Sequence, residues 1–272
     1  MDVRPFTLRI GLSLQLLAFL LFNTIVWPLR GHKFIQGLSA FVQKSYSSSD
    51  FTDAVEEAVE RAVDLRAPVL VILLVMLGGA IFLAAFQAYL HTGEKANKGM
   101  AAGGKLLGYA VTLDLLATTG ALVFWGTIVK FAGGEADKEL MQLFLSSGEV
   151  YTAYFTAFVI RSVSVIIYGV SFFLLEWNCP DTTGMPLAWT IATCYKLAGV
   201  CGLINAMLPL LSASFGLYMA MLALYGLGLL VATLWSYLYE PSLIIPKFKG
   251  DDMLVENTTT STMMMTPMPI VG

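Results

Sequence analysis

Three ionisable residues lie inside long apolar runs of this 272-residue chain: Asp114 in the run 106–129, Arg161 in 151–175 and Lys196 in 187–211. Charge is expensive in hydrocarbon, so such side chains either line a solute or ion path or lock two helices together as an ion pair. We count depth at 1.5 Å per residue from the run ends expected on one face of the bilayer. Asp114 then lies about 12 Å deep, Lys196 about 14 Å and Arg161 about 21 Å. The matched depths predict an Asp114–Lys196 ion pair, which Arg161 joins only through its length or an intervening hydroxyl.

The local spacing supports an inward-facing set. Around Asp114 the residues three and four away are Ala110, Ala117 and Thr118; around Lys196 they are Ala192, Thr193, Gly199 and Val200. Small residues there allow close helix approach or leave room for water. Tyr154, Ala157, Arg161, Ser164, Tyr168 and Ser171 recur at spacings of three and four, so they form one polar stripe on a helix. That stripe faces a neighbouring helix or a wet cavity, not lipid. In the first case it is a helix lock; in the second, Asp114, Arg161, Lys196, Ser164 and Tyr168 bind a solute. The surplus of positive groups then favours an anionic or zwitterionic one. Asn205 and Pro209 add a freed carbonyl to the second reading and a mere kink to the first. Gly216, Ala220 and Ala223 form a small-residue ridge expected to contact another helix.

Catalysis of the soluble kind has no footing. There is no GxSxG, HExxH or CxxC, and Glu149 and Glu176 stand at opposite ends of one span. We expect no enzyme. With only His32 and His91, and with Cys179, Cys194 and Cys201 unsuitably spaced, no metal centre, disulfide framework or other cofactor is expected. A net charge of −3 without a dense basic run argues against nucleic acid.

The elements that must position these residues follow from composition. The chain is 57% hydrophobic and 13% charged with a mean hydropathy of +0.73, so its solvent is a lipid bilayer. The run 68–90 is the clearest span: uncharged, long enough to cross the hydrocarbon, and opened by Arg66 and Pro68. Five more runs follow the same logic, at 10–29, 106–129, 151–175, 187–211 and 215–239. The first reads as a retained span rather than a signal peptide, because no small-x-small cleavage site precedes Arg30. The fold class is therefore all-α, a polytopic membrane bundle of about six helices occupying 1–240, followed by a disordered polar tail over 241–272 rich in Thr and Met.

Between the first two spans, 31–66 reads as an extramembrane helical hairpin. Its second arm, 51–63, carries Phe51, Ala54, Val55, Ala58, Val59, Ala62 and Val63 at helical spacing after an N-cap at Ser49 or Asp50. This smooth Ala/Val face either caps its own bundle or docks a protein partner. The glycine-rich, basic segment 91–105 reads as a flexible cytoplasmic turn, not a phosphate loop, since GxxxxGK[ST] is absent. The apolar piece 140–145 is expected at the interface. Trp27, Trp125, Trp177, Trp189 and Trp235 all fall near span ends, where indole rings anchor at headgroups. Six spans put both termini on one side, and Lys95, Lys98 and Lys105 make that side cytoplasmic; the sequon at Asn257 then faces the wrong compartment. The expectation is a small transporter or channel subunit with a charged intramembrane site. Its alternative is a structural or assembly subunit of a larger membrane complex, and homo-oligomerisation is compatible with both.

Overall fold

The computed structural model describes residues 3–26, 48–91, 98–131, 148–177, 185–207 and 215–238, all of them helical and none in a strand. We number the helices α1 (Val3–Leu21, continued by a π turn Phe22–Val26), α2 (Ser48–His91), α3 (Lys98–Phe131), α4 (Gly148–Trp177), α5 (Met185–Met207) and α6 (Phe215–Leu238). Each contains a stretch apolar and long enough to cross a bilayer: Phe6–Ile25, Asp64–Ala88, Ala101–Thr127, Thr156–Leu175, Pro186–Asn205 and Gly216–Leu238. The chain is an integral membrane protein. Its outer surface carries exposed Leu17, Val71, Leu74, Ile81, Leu116, Val123, Val200, Leu230 and Leu234, as a surface in contact with acyl chains must.

Successive helices run antiparallel, and each packs principally against the next; α1 then closes onto α6. The result is a ring of six. Val3, His91, Lys98, Trp177, Met185 and Leu238 lie at one end, called the lower end below. Closure is fastened by Arg9, whose guanidinium donates to the Ser236 carbonyl at 3.3 Å and the Tyr237 carbonyl at 3.4 Å while lying 4.8 Å from the Tyr237 ring centroid. Where helices come closest, glycine is required. A Cβ on Gly11 of α1 would stand 2.8 Å from Leu83 Cγ and 3.1 Å from the Gly79 carbonyl oxygen of α2.

Four expectations about the elements change. The second arm of the 31–66 hairpin is helical, beginning at Ser48, but it is continuous with the second span through Pro68. Proline removes one backbone hydrogen bond; Leu65 and Val69, 1% and 6% exposed, are packed on either side of it and hold the axis. The first arm lies outside the described residues, as do 140–145 and the tail 241–272. Second, α3 starts at Lys98, not 106, so the glycine-rich segment taken for a turn is largely helix. Its glycines serve packing: a Cβ on Gly103 would meet Leu175 Cγ at 3.1 Å, and Ser171 Oγ donates to the Gly103 carbonyl at 2.8 Å. Third, Trp235 is fully buried and Trp125 nearly so, hence neither is a headgroup anchor; Trp189, 54% exposed, remains placed as one. Likewise Gly216 and Ala223 are exposed, so the ridge expected to make a helix contact faces outward within this chain.

The interior is uneven along its axis. One continuous apolar cluster joins Leu8, Leu12, Leu83, Phe86, Leu107, Phe172, Leu175, Ile191 and Trp235, all from the lower half of the ring. Phe172 is its hub, with ring centroids 5.8 Å from Trp235 and 6.3 Å from Tyr195. Leu16, Phe19, Leu224 and Tyr225, higher up on α1 and α6, border this cluster as partly buried residues, while Leu65, Val69, Ile72, Phe124 and Trp125 toward the upper ends of α2 and α3 are buried outside it.

Candidate functional site

At the roof of the cluster the packing turns polar. Asp114 of α3, 3% exposed, sits 2.9 Å (Oδ1) from Arg161 Nη1 of α4. Its Oδ2 accepts from the Tyr168 hydroxyl at 3.4 Å and from Gln15 Nε2 of α1 at 3.3 Å. Gln15 Nε2 also donates to the Met76 carbonyl of α2 at 3.1 Å. From the other side, Arg161 donates to Thr118 Oγ1 at 3.2 Å and to the Tyr225 hydroxyl of α6 at 3.4 Å. Tyr195 of α5 closes the layer, its ring centroid 5.9 Å from that of Tyr225. All six helices therefore contribute. Two of the links, Gln15–Asp114 and Arg161–Tyr225, join helices that are not neighbours around the ring, so the layer crosses its centre.

The layer is neutral in sum, which is what an apolar surround demands of a charged pair. It is not saturated. Gln15 Oε1 is buried and has no donor, and Asp114 Oδ1 meets Arg161 as an ion pair without a directed hydrogen bond. The two members also differ in access: the Arg161 side chain is 23% exposed and that of Asp114 only 4%.

The remaining stripe residues do a separate job. Ser164 Oγ donates to the Ala110 carbonyl at 2.8 Å, and Ser164 and Ser171 are both fully buried. They stitch α4 to α3 by side chain–backbone bonds, about one and three turns below Arg161. Tyr154 lies outside the residues whose side chains are described. Of the predicted site residues, the structure thus brings Asp114, Arg161 and Tyr168 together, with Ser164 just beneath.

Lys196 is not with them, and the predicted Asp114–Lys196 pair does not form. Lys196 is exposed on the outer face of α5 beside Thr193, Val200 and Ile204, while Tyr195 points into the ring. Depth matching ignored azimuth, and successive helical residues point about 100° apart. It also used the wrong origin. Asp114 follows Lys98 by 16 residues and Arg161 precedes Trp177 by 16, about 24 Å from the lower helix ends in each case, so these two are level. A lysine at the centre of a span facing lipid costs roughly 2.5–3.5 kcal/mol on insertion scales.

Gln15, Thr118, Tyr195 and Tyr225 were missed as site residues. A search confined to ionisable groups passes over Gln15, although an amide midway along an apolar run is itself a signal. Tyr225 is likewise far from the span ends where interfacial tyrosines collect.

Residues 3–257 match the family model described as a protein of unknown function (DUF3273). No curated protein and no solved structure matches the chain.

Proposed function

We propose that the chain, which belongs to the DUF3273 family, is a small membrane transporter or channel subunit whose solute meets the polar layer at Arg161. One observation carries this reading. A cation that reaches through the ring centre from α4 to α6 still keeps 23% of its side chain accessible, while the interior toward the lower end is closed by Tyr168, Phe172 and Trp235. A side chain serving only as a helix lock has no need of that open face. Arg161 supplies donors and positive charge to an anionic or zwitterionic solute; Asp114 holds the guanidinium in place and cancels its charge when the site is empty. Tyr168 and Gln15 fix the carboxylate, and Tyr225 fixes the far side of the guanidinium. Access is from the upper end. The basic residues Lys95, Lys98 and Lys105 support a cytoplasmic lower end, with both termini on that side.

The test is flux in reconstituted vesicles loaded with a panel of small organic anions and amino acids. Arg161→Leu and Asp114→Asn abolish uptake while the protein remains monodisperse in detergent. Full uptake by both variants would refute the reading.

A second reading, an assembly subunit of a larger complex, is favoured by α2. Residues 48–63 prolong that helix by about 24 Å beyond its span, an arm suited to contact with another protein. It requires co-purification of a fixed partner that Ala58→Glu removes. No catalytic step belongs to either reading.

A further inference from the structure

Lys196 lies ten residues from Pro186 and nine from Asn205, the ends of its apolar span, which places it about 15 Å and 13.5 Å from them. It is exposed, and no hydrogen bond or ion pair of Lys196 occurs among the described residues. The surface around it is that of a lipid-facing helix: Trp189, Leu197, Val200 and Ile204 are 54%, 47%, 43% and 45% exposed. Its own helix turns inward on the opposite side, where Ile191 and Ala198 are 0% and 1% exposed and belong to the apolar cluster of the ring. An ammonium at this depth needs a counter-charge, and the possible sources can be sorted by position. Headgroup phosphates stand at the interface, a half-span away. A second copy of this chain offers nothing suitable among the described residues: the carboxylates of its spans are Asp114, buried and paired, and Asp64, at a span end. Charge complementarity leaves a different membrane protein with an acidic side chain in the middle of a transmembrane helix.

We infer that the outer face of α5, which Lys196 borders on the side next to α4, is a docking surface for a transmembrane helix of another protein that carries a mid-membrane aspartate or glutamate. Thr193 and Val200, one turn to either side, give the incoming helix a small, low-relief track, and the Lys196–carboxylate pair fixes its register. Lys196 points about 100° away from Tyr195, the α5 member of the polar layer, and outside the ring, so this surface can be present whether or not Arg161 binds a solute.

The experiment uses the full chain in phosphatidylcholine vesicles with synthetic polyleucine transmembrane helices bearing aspartate, asparagine or leucine at the central position. Association is read by energy transfer from a donor dye on the protein to an acceptor on the peptide. The aspartate helix should associate roughly five- to thirtyfold more strongly than the leucine helix, the range that one strong interhelical polar contact supplies in lipid. Lys196→Leu should erase this preference and Lys196→Arg should keep it. Because the residue is exposed, Lys196→Leu leaves the fold intact, which an unchanged elution profile and helical circular dichroism verify. Equal association of the three peptides with the wild-type chain overturns the inference, as does a preference that survives Lys196→Leu. A spin-labelled phosphatidylserine arm separates the lipid alternative. Enrichment of that lipid dependent on Lys196, without a peptide preference, assigns the charge to headgroups and overturns the inference too.

Discussion

Asp114 and Lys196 are both single charges near the middle of a span, and the chain treats them in opposite ways. Asp114 is met by groups from α1 and α4, with a guanidinium at 2.9 Å and an amide and a phenol on its second oxygen. Lys196 faces outward among aliphatic side chains. The difference teaches that depth in the membrane says a charge must be neutralised, whereas azimuth says by whom. A charge turned inward is answered by its own chain; one turned outward has to be answered by another molecule or left uncompensated.

The largest effect should come from splitting the inner pair. Asp114→Leu strands Arg161 and should destabilise the protein by about 3–5 kcal/mol in a mixed-micelle unfolding titration. The double variant Asp114→Leu, Arg161→Met should recover much of that loss, because two neutral side chains need no partner. If the double variant is as unstable as the sum of the singles, the residues are not coupled and the contrast with Lys196 collapses. Below the layer, Trp235→Ala opens a void in a fully closed floor; we expect about 3–5 kcal/mol in the same titration. Should the upper interior be as tightly filled, Leu224→Ala would cost as much, and the unevenness of the ring would be disproved. Gln15→Leu removes two hydrogen bonds, to Asp114 Oδ2 and the Met76 carbonyl, together with an unsatisfied carbonyl oxygen, so its effect should be about 1 kcal/mol or less. Lys196→Leu, last, should leave the isolated chain unchanged or slightly more stable. A loss comparable to that of Asp114→Leu would mean that Lys196 has a partner within the chain after all.

Much of this was legible in the sequence. The six spans, the all-helical class and the inward turn of the stripe from Ala157 to Ser171 follow from hydropathy and from spacings of three and four. The identity of Arg161's partner did not follow, for two physical reasons. Gly99, Gly103 and Gly104 look like a turn when read alone, yet in a membrane glycine is as often the place where two helices touch. Moving the start of α3 back to Lys98 is what brings Asp114 level with Arg161. Nor can a one-dimensional count say that Tyr195 rather than Lys196 points to the ring centre; that is decided by the packing of α5 against α4, where a Cβ on Gly169 would stand 3.0 Å from the Ala192 carbonyl oxygen. Gln15 was readable and was passed over, because an amide carries no charge to draw notice.

Closure of the ring by Arg9 and the carbonyls of Ser236 and Tyr237 joins residues 227 and 228 positions apart. During synthesis, then, the first helix waits in the membrane for the last. The α3–α4 hairpin need not wait: Asp114 and Arg161 emerge within one another's reach and can enter the bilayer as a neutral unit, sparing the insertion machinery two bare charges. Biogenesis so ordered sets the charged centre first and seals the wall around it afterwards, which makes α6 the step at which a half-made molecule is most exposed to quality control.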